Sequence, residues 1–229
     1  MTSERVLVAW SSGKDSAFAL HVLRAQGVAV AGLLTTINAA FDRVAMHAVR
    51  VALLRAQAEA VGLPLFEVGI PSPCPNEAYE AAMAGALASA RERGITAVAF
   101  GDLFLEDVRR YREERMAGTG LRPLFPLWGR PTRQLAEEMI ALGQRAVLTC
   151  VDPRALARDF AGRAFDAALL RDLPDSVDPC GENGEFHSFA WDGPAFCRPV
   201  PVRAGEVVER DGFVFADLVP ETDGARQCA

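Results

Sequence analysis

The sequence predicts an α/β fold: a mostly parallel sheet covered by helices on both faces, followed by a smaller C-terminal α+β domain. Three observations predict it. Short apolar runs alternate with longer runs of helical spacing from Val6 to Phe100. Those short runs are apolar at consecutive rather than alternate positions, the pattern of strands buried on both faces. Beyond the proline-rich stretch 123–131 the pattern changes to short strand-like runs separated by glycine and proline.

The elements follow in order. Residues 6–10 read as the first strand, and residues 17–23 as a helix that Gly27 can end. Residues 28–35 form a second buried strand. Residues 46–61, rich in alanine, leucine and arginine, form a helix closed by Gly62. Residues 63–68 are a third strand, and residues 76–93 a helix that Asn76 would cap and Gly94 would stop. Residues 96–100 are a fourth strand, with Gly101-Asp102 at its C-terminal end. Right-handed crossovers place the C-terminal ends of parallel strands on one edge, where ligands of such sheets bind. Loop 11–16, the stretch after Thr35 and Gly101-Asp102 are therefore expected to converge. The boundaries drawn are 1–127 for the first domain, 128–220 for the second and 221–229 for a frayed tail. The second domain is expected to hold a helix over 132–142 and strands over 145–151, 186–191 and 212–219.

Bulk properties narrow the function. With 229 residues, 50% hydrophobic and 24% charged, the chain can bury a core and is not broadly disordered. A net charge of −6 and a pI near 5.2 argue against binding nucleic acid through a broad basic surface. No apolar run reaches the roughly 18–20 residues that span a bilayer, so no membrane partner is expected. Five cysteines, an odd number with no CxxC spacing, support neither a disulfide framework nor a zinc site. With no leader-like start, the expected compartment is the cytoplasm. Of the 24 basic residues only Lys14 is a lysine, and it falls in the loop after the first strand. Coding bias toward arginine accounts for the skew but not for that position. A compact ammonium suits a phosphate in a way that arginine does not simply replace.

Two motifs carry chemistry. Ser11-Ser12-Gly13-Lys14-Asp15-Ser16 joins a strand to a helix. Small residues there leave backbone N–H groups free at the positive end of the helix dipole, an anion site. Ser16 can cap the helix or donate to a phosphate. Asp15 is repelled by phosphate unless a cation intervenes, which points to Mg²⁺. The loop is not a Walker A motif, since Val8 and Asp15 stand where that motif needs glycine and a hydroxyl residue. An ordinary capped turn fits the same residues. The second motif is Cys180-Gly181-Glu182-Asn183-Gly184-Glu185-Phe186-His187. It gathers two carboxylates and an imidazole. In an extended chain Glu185 and His187 would face one side, where they could hold ammonium or accept its protons. A polar hairpin is the plainer reading.

The first loop resembles the SGGxDS signature of the PP-loop ATP pyrophosphatases, with Ser12 in place of the second glycine. With the GENGEFH stretch near the C-terminus, the chain resembles the diphthine–ammonia ligase (diphthamide synthetase) family. Met46-His47, Gly101-Asp102, Tyr111-Arg112 with Arg115, and residues 126–129 fit its pattern, and the match covers residues 5 to 219. The resemblance implies a Rossmann-like sheet of PP-loop type. It also implies a reaction in which a carboxylate attacks ATP, pyrophosphate leaves, and ammonia displaces AMP to give an amide. The acceptor in that family is diphthine, a modified histidine on an elongation factor.

The expected roles follow. Ser11, Ser12, Gly13 and Ser16 cradle phosphates, and Lys14 neutralises them. Asp15 with Asp102 holds Mg²⁺, and His47 and Gly101 contact the nucleotide. Glu182, Asn183, Gly184, Glu185 and His187 form the acceptor and ammonia site, while Tyr111, Arg112 and Arg115 close over the substrate. The charge run 106–115 reads equally as a solvated helix face. Expected partners are ATP, ammonia and a protein-borne or small carboxylate, and a homodimer is the base-rate assembly. Two other functions stay open: a PP-loop adenylating enzyme acting on a small carboxylic acid or a tRNA base, and a non-catalytic ATP sensor. The second motif discriminates, because a sensor has no need of clustered Glu182, Glu185 and His187.

Overall fold

The computed structural model describes residues 4–38, 43–44 and 49–221. Met46, His47 and residues 222–229 lie outside them. The chain runs β1 (Arg5–Ala9), α1 (Lys14–Ala25), β2 (Ala29–Asn38), β3 (Arg43–Val44), α2 (Val51–Val61), β4 (Leu65–Ile70), α3 (Asn76–Glu92), β5 (Ala97–Ala99), α4 (Glu106–Met116) and β6 (Arg122–Leu124). It continues through α5 (Thr132–Ala141), β7 (Arg145–Val151), a 3-10 turn (Arg158–Phe160), α6 (Ala167–Asp172), β8 (Phe186–Asp192), β9 (Val202–Arg210) and β10 (Phe213–Pro220).

β1 lies between β2 and β5, β2 also pairs with β4, and β5 with β6, all parallel. β3 runs antiparallel at the end of β2, with Val44 opposite Ile37. A second, antiparallel sheet has the order β8-β7-β10-β9. The expected α/β architecture with a mostly parallel sheet is therefore present, with a smaller antiparallel sheet after it.

Several elements differ from expectation for local reasons. α1 begins at Lys14 rather than at residue 17, because Gly13 takes the extended N-cap geometry (φ −82°, ψ 169°). Lys14, Asp15 and Ser16 are thus its first turn, where backbone N–H groups have no intrahelical acceptor. Pro75, not Asn76, occupies the N-cap of α3; its missing N–H is no loss where no partner exists. The described part of α2 begins at Val51, with Arg50 as an extended N-cap. The charge run is helical, with an Arg109–Glu113 pair at 2.8 Å one turn apart. β6 contains Pro123 and β9 is exposed at every residue after its first. Both lie at sheet edges, where proline and polar residues are tolerated and hydrophobic pattern is weak.

One core runs through both sheets. Val6, Val8 and Phe18 belong to the same buried cluster as Leu148, Phe189 and Ala190. The opposite face of the parallel sheet is covered separately, by Leu87 and Ala90 of α3 over Leu7, Leu34 and Val98. The described cysteines, Cys74, Cys150, Cys180 and Cys197, are free thiols. Among the described residues no helix is long and apolar enough to cross a membrane.

Candidate active site

The loop after β1 is built by contacts from distant parts of the chain. Ser12 has φ 69°, a left-handed conformation that glycine adopts more easily. The strain is held in place from outside: the Ser12 carbonyl accepts from Ala190 N (2.9 Å) and from Gln57 Nε2 (3.0 Å). Gln57 is itself fixed by accepting from Trp10 Nε1 at 2.9 Å. The amide of Lys14 donates to Ser188 Oγ (3.2 Å), and Gln144 Nε2 donates to the Lys14 carbonyl (2.7 Å). β8 thus braces the start of α1. Ser16 Oγ donates back to Gly13 O at 3.0 Å. Gly101 passes so close that a β-carbon would sit 3.1 Å from the Asp15 carbonyl carbon and from Ser16 N. That approach brings the ends of β1 and β5 together.

Lys14 is 2% exposed. Its Nζ donates to Asp15 Oδ2 (2.8 Å), Asp15 Oδ1 (3.0 Å) and the Cys180 carbonyl, and stands 5.4 Å from the ring centres of Phe165 and Phe186. Burial works against its charge, but Asp15, with the fields of Cys180 and Glu182, more than offsets it and raises the pKa. Lys14 is therefore an ammonium inside the protein.

The second motif is a loop wound around two carboxylates. Glu185, 6% exposed, accepts from Asp178 N (2.9 Å) and Asn183 Nδ2 (3.0 Å) on one oxygen and from Asn183 N (3.0 Å) on the other. Asp178 Oδ2 accepts from the amides of Cys180 and Glu182, each at 3.0 Å. Gly181, at φ +70°, has no room for a side chain, since a β-carbon would lie 2.8 Å from Phe186 O. Held this way, the loop projects Glu182 and His187 toward Lys14. Glu182 Oε1 accepts from Leu103 N at 2.6 Å. Burial pushes the Glu182 carboxyl up to about 7; the Leu103 amide opposes this, and Asp15 and Asp102 add to it. Burial, then the Lys14 charge, push His187 below its ordinary pKa, so its imidazole is neutral at pH 7. Burial also raises Asp102 against the pull of Arg112, whose Nε lies 3.5 Å from Asp102 Oδ2. Both of those atoms are buried with no hydrogen-bond partner among the described residues.

These groups face a cleft of about 360 Å³ between the C-terminal ends of the parallel strands and the 180–188 loop. Ser11, Gly13, Lys14, Asp15, Ser16, Gly101, Asp102 and Arg112 line it, with Glu182, Gly184 and His187 opposite. Ser12, Asn183 and Glu185 do not; they frame the loops from behind. The expectation that Glu185 and His187 share one side fails because Glu185 closes its own turn. Tyr111 is 38% exposed, and Arg115 stacks on its ring and pairs with Glu80 at 2.8 Å, so neither reaches the cleft. His47 is outside the described residues. Sequence reasoning missed Asp178, Ser188 and an apolar wall formed by Leu34, Met83, Leu87, Val98 and Met116. Asp178, two residues before Cys180, carried a usable signal, the Asx-turn spacing. Ser188 carried none.

Comparison with known proteins identifies the family. The family model of the diphthamide synthase N-terminal domain matches residues 4–123, and that of its C-terminal domain residues 131–215. A diphthine–ammonia ligase of Danio rerio is 30% identical over 93% of this chain and 92% of its own length. Those of Bos taurus and Homo sapiens are 28% identical, each over 93% of this chain and 88% of their own. Two domain matches that together cover most of the chain, the first including loop 11–16 and the second the 180–187 stretch, make the conclusion direct: the chain belongs to the diphthamide synthase family.

Proposed function

We propose that this chain, by its family an ATP-dependent carbon–nitrogen ligase, splits ATP to AMP and pyrophosphate to turn a carboxylate into an amide. The observation that carries the proposal is the placement of Lys14. A single buried ammonium, at the N-terminus of α1, looks across one cleft at Glu182 and His187.

The division of labour follows from the groups. The apolar wall of Leu34, Met83, Leu87, Val98 and Met116 suits a purine base. The first-turn amides of α1 and Lys14 suit the phosphates. The acceptor carboxylate oxygen attacks the α-phosphorus; the bond to the bridging oxygen breaks, and pyrophosphate leaves. Lys14 stabilises the charge that grows on it, giving up its contact with Asp15. Asp15 and Asp102 are the residues that would hold Mg²⁺. Both are oxygen donors, and Asp102 Oδ2 is buried without a hydrogen-bond partner among the described residues. The described residues contain no cluster of three or more candidate ligands, so phosphate and water oxygens would complete the coordination, as is usual for this ion. Bound there, Mg²⁺ would neutralise phosphate charge.

In the second half-reaction ammonia nitrogen attacks the acyl carbon, the bond to AMP oxygen breaks, and AMP leaves. The nitrogen loses a proton to Glu182, whose pKa of about 7 suits both taking and releasing it. Neutral His187 is a second acceptor. The relatives' name supports diphthine as the acceptor. On this reading residues 1–127 carry the nucleotide contacts, and the acceptor contacts at Glu182 and His187 come from residues 128–220.

Product analysis tests the reading. Purified protein is incubated with ATP, Mg²⁺ and ammonium, with and without an extract containing unamidated acceptor, and AMP, ADP and pyrophosphate are separated. AMP with pyrophosphate, raised by the extract, is expected. ADP with phosphate would overturn the proposal.

A further inference from the structure

The two ends of the reversal 43–50 close on each other, far from β10 in sequence. Arg43 and Arg50 form a bridge, and Val44 N donates to Val49 O at 2.8 Å. Val44, 3% exposed, pairs with Ile37 at the end of β2 and lines the cleft. Both flanking arginines reach one carboxylate. Arg43 Nη1 donates to Asp217 Oδ1 (2.8 Å), and Arg50 Nη2 donates to Asp217 Oδ2. Arg50 Nε also donates to Leu218 O at 3.1 Å.

The β9–β10 pairing is irregular at this contact. The pairing slips between Ala216 and Leu218, where β9 carries one extra residue, so that Gly205 and Glu206 stand opposite the single residue Asp217. Bulges of this kind re-aim a side chain beside a functional site. Gly205, in that bulge, leaves room for Asp217: a β-carbon on it would lie 3.1 Å from Asp217 O and 3.3 Å from Asp217 Cβ. A half-exposed ion pair adds little to stability. One carboxylate gripping both ends of a reversal fixes geometry instead.

We propose that Asp217 is a positioning residue: through Arg43 and Arg50 it clamps the paired stretches 43–44 and 49–50 and so sets the Val44 wall of the cleft. The clamp ties the second sheet to the nucleotide side, so the sheet that carries the acceptor motif also adjusts how ATP is held. The inference rests on reading the cleft as an ATP site.

The test compares the full-length protein with Asp217→Asn and, from the other side of the contact, Arg50→Gln. Amide exchange is measured without nucleotide, ATP affinity by titration, and AMP formation at saturating ATP. Exchange of the Val44 amide, which donates to Val49 O, should speed up about tenfold in both variants while β1 and β5 keep their protection. The dissociation constant and KM for ATP should rise about five- to tenfold, with kcat within about twofold. The double variant should be no weaker than either single one. Unchanged exchange at Val44, or faster exchange with unchanged ATP affinity, would overturn the clamp. A wild-type protein that binds no ATP would sink the reading of the cleft instead, and the exchange result would still judge the clamp.

Discussion

Lys14 holds a full charge where burial opposes one, and the reason is local: a carboxylate next to it in sequence and a carbonyl from 166 positions away both accept from its Nζ. Removing the ammonium removes the group best placed to meet charge developing on pyrophosphate. Lys14→Ala should lower AMP formation by about a hundred- to a thousandfold, the loss typical of one transition-state donor. Lys14→Arg should not restore it, because a planar fork replaces a point charge between the rings of Phe165 and Phe186. Rates within a fewfold of the parent would remove Lys14 from the mechanism. Glu182 makes a prediction in pH. As a proton acceptor it works when ionised, so kcat/KM should rise with pH through about 7, and that limb should vanish in Glu182→Gln. The stability effect has the opposite sign. A carboxyl whose folded pKa is raised binds its proton better folded than unfolded. Its contribution is complete below the ordinary value of 4.5 and is lost as pH rises through about 7. Melting temperature should therefore drop over that window more in the parent than in Glu182→Gln; parallel curves would contradict the assigned burial.

Elements bring these residues together, and here sequence pattern shows its reach. The strands and helices of the parallel sheet were readable because buried strands and Ala/Leu-rich helices have strong local signals. The convergence of loop 11–16 with Gly101-Asp102 followed from parallel topology alone. β6, β9 and α6 were not readable: β6 is three residues around a proline, β9 is an edge strand whose valines do not alternate, and α6 spans only six residues. The 180–185 turn was legible as unusual but not in its roles, because which carboxylate faces the cleft depends on how the turn winds. Glu185, with both oxygens engaged inside the turn, is structural. Glu185→Ala should cost about 2–3 kcal/mol in urea unfolding, since buried amides lose a charged acceptor. Glu185→Gln should lose less, keeping one acceptor oxygen but turning an N–H toward an N–H. A variant as stable as the parent would show that the turn stands without Glu185. Gly101→Ala tests the other loop. Its β-carbon would press on the Asp15 and Ser16 backbone, where no flexible side chain can yield, and about tenfold weaker ATP binding is expected. Unchanged affinity would mean the loop adjusts without consequence.

At the scale of the molecule, the division at 127/128 drawn from sequence meets a core that does not stop there. Local periodicity shows where elements are but not which distant carbonyl they satisfy, and Ala190, which donates to Ser12 O, looks like any alanine in a strand. The ties are several: Ala190 to Ser12, Ser188 to the Lys14 amide, Cys197 N to Ala60 O at 2.8 Å, and Arg24 Nη1 to Ala195 O at 2.8 Å. Phe18 and Leu20 of α1 share one buried cluster with Leu148 and Phe189 of the second sheet. Removing the second sheet would expose that face of α1 to water at about 25 cal/mol per Å². It would also leave Ser12 in its left-handed conformation with the Ala190 bond gone. The whole chain should therefore melt in a single transition, with calorimetric and van't Hoff enthalpies equal, and ATP should raise that one melting temperature. Residues 1–127 expressed alone should bind a hydrophobic dye and show no ATP-dependent shift. Two separable transitions in the full chain, or an isolated first part that melts sharply and responds to ATP, would mean that the phosphate loop needs nothing from the second sheet.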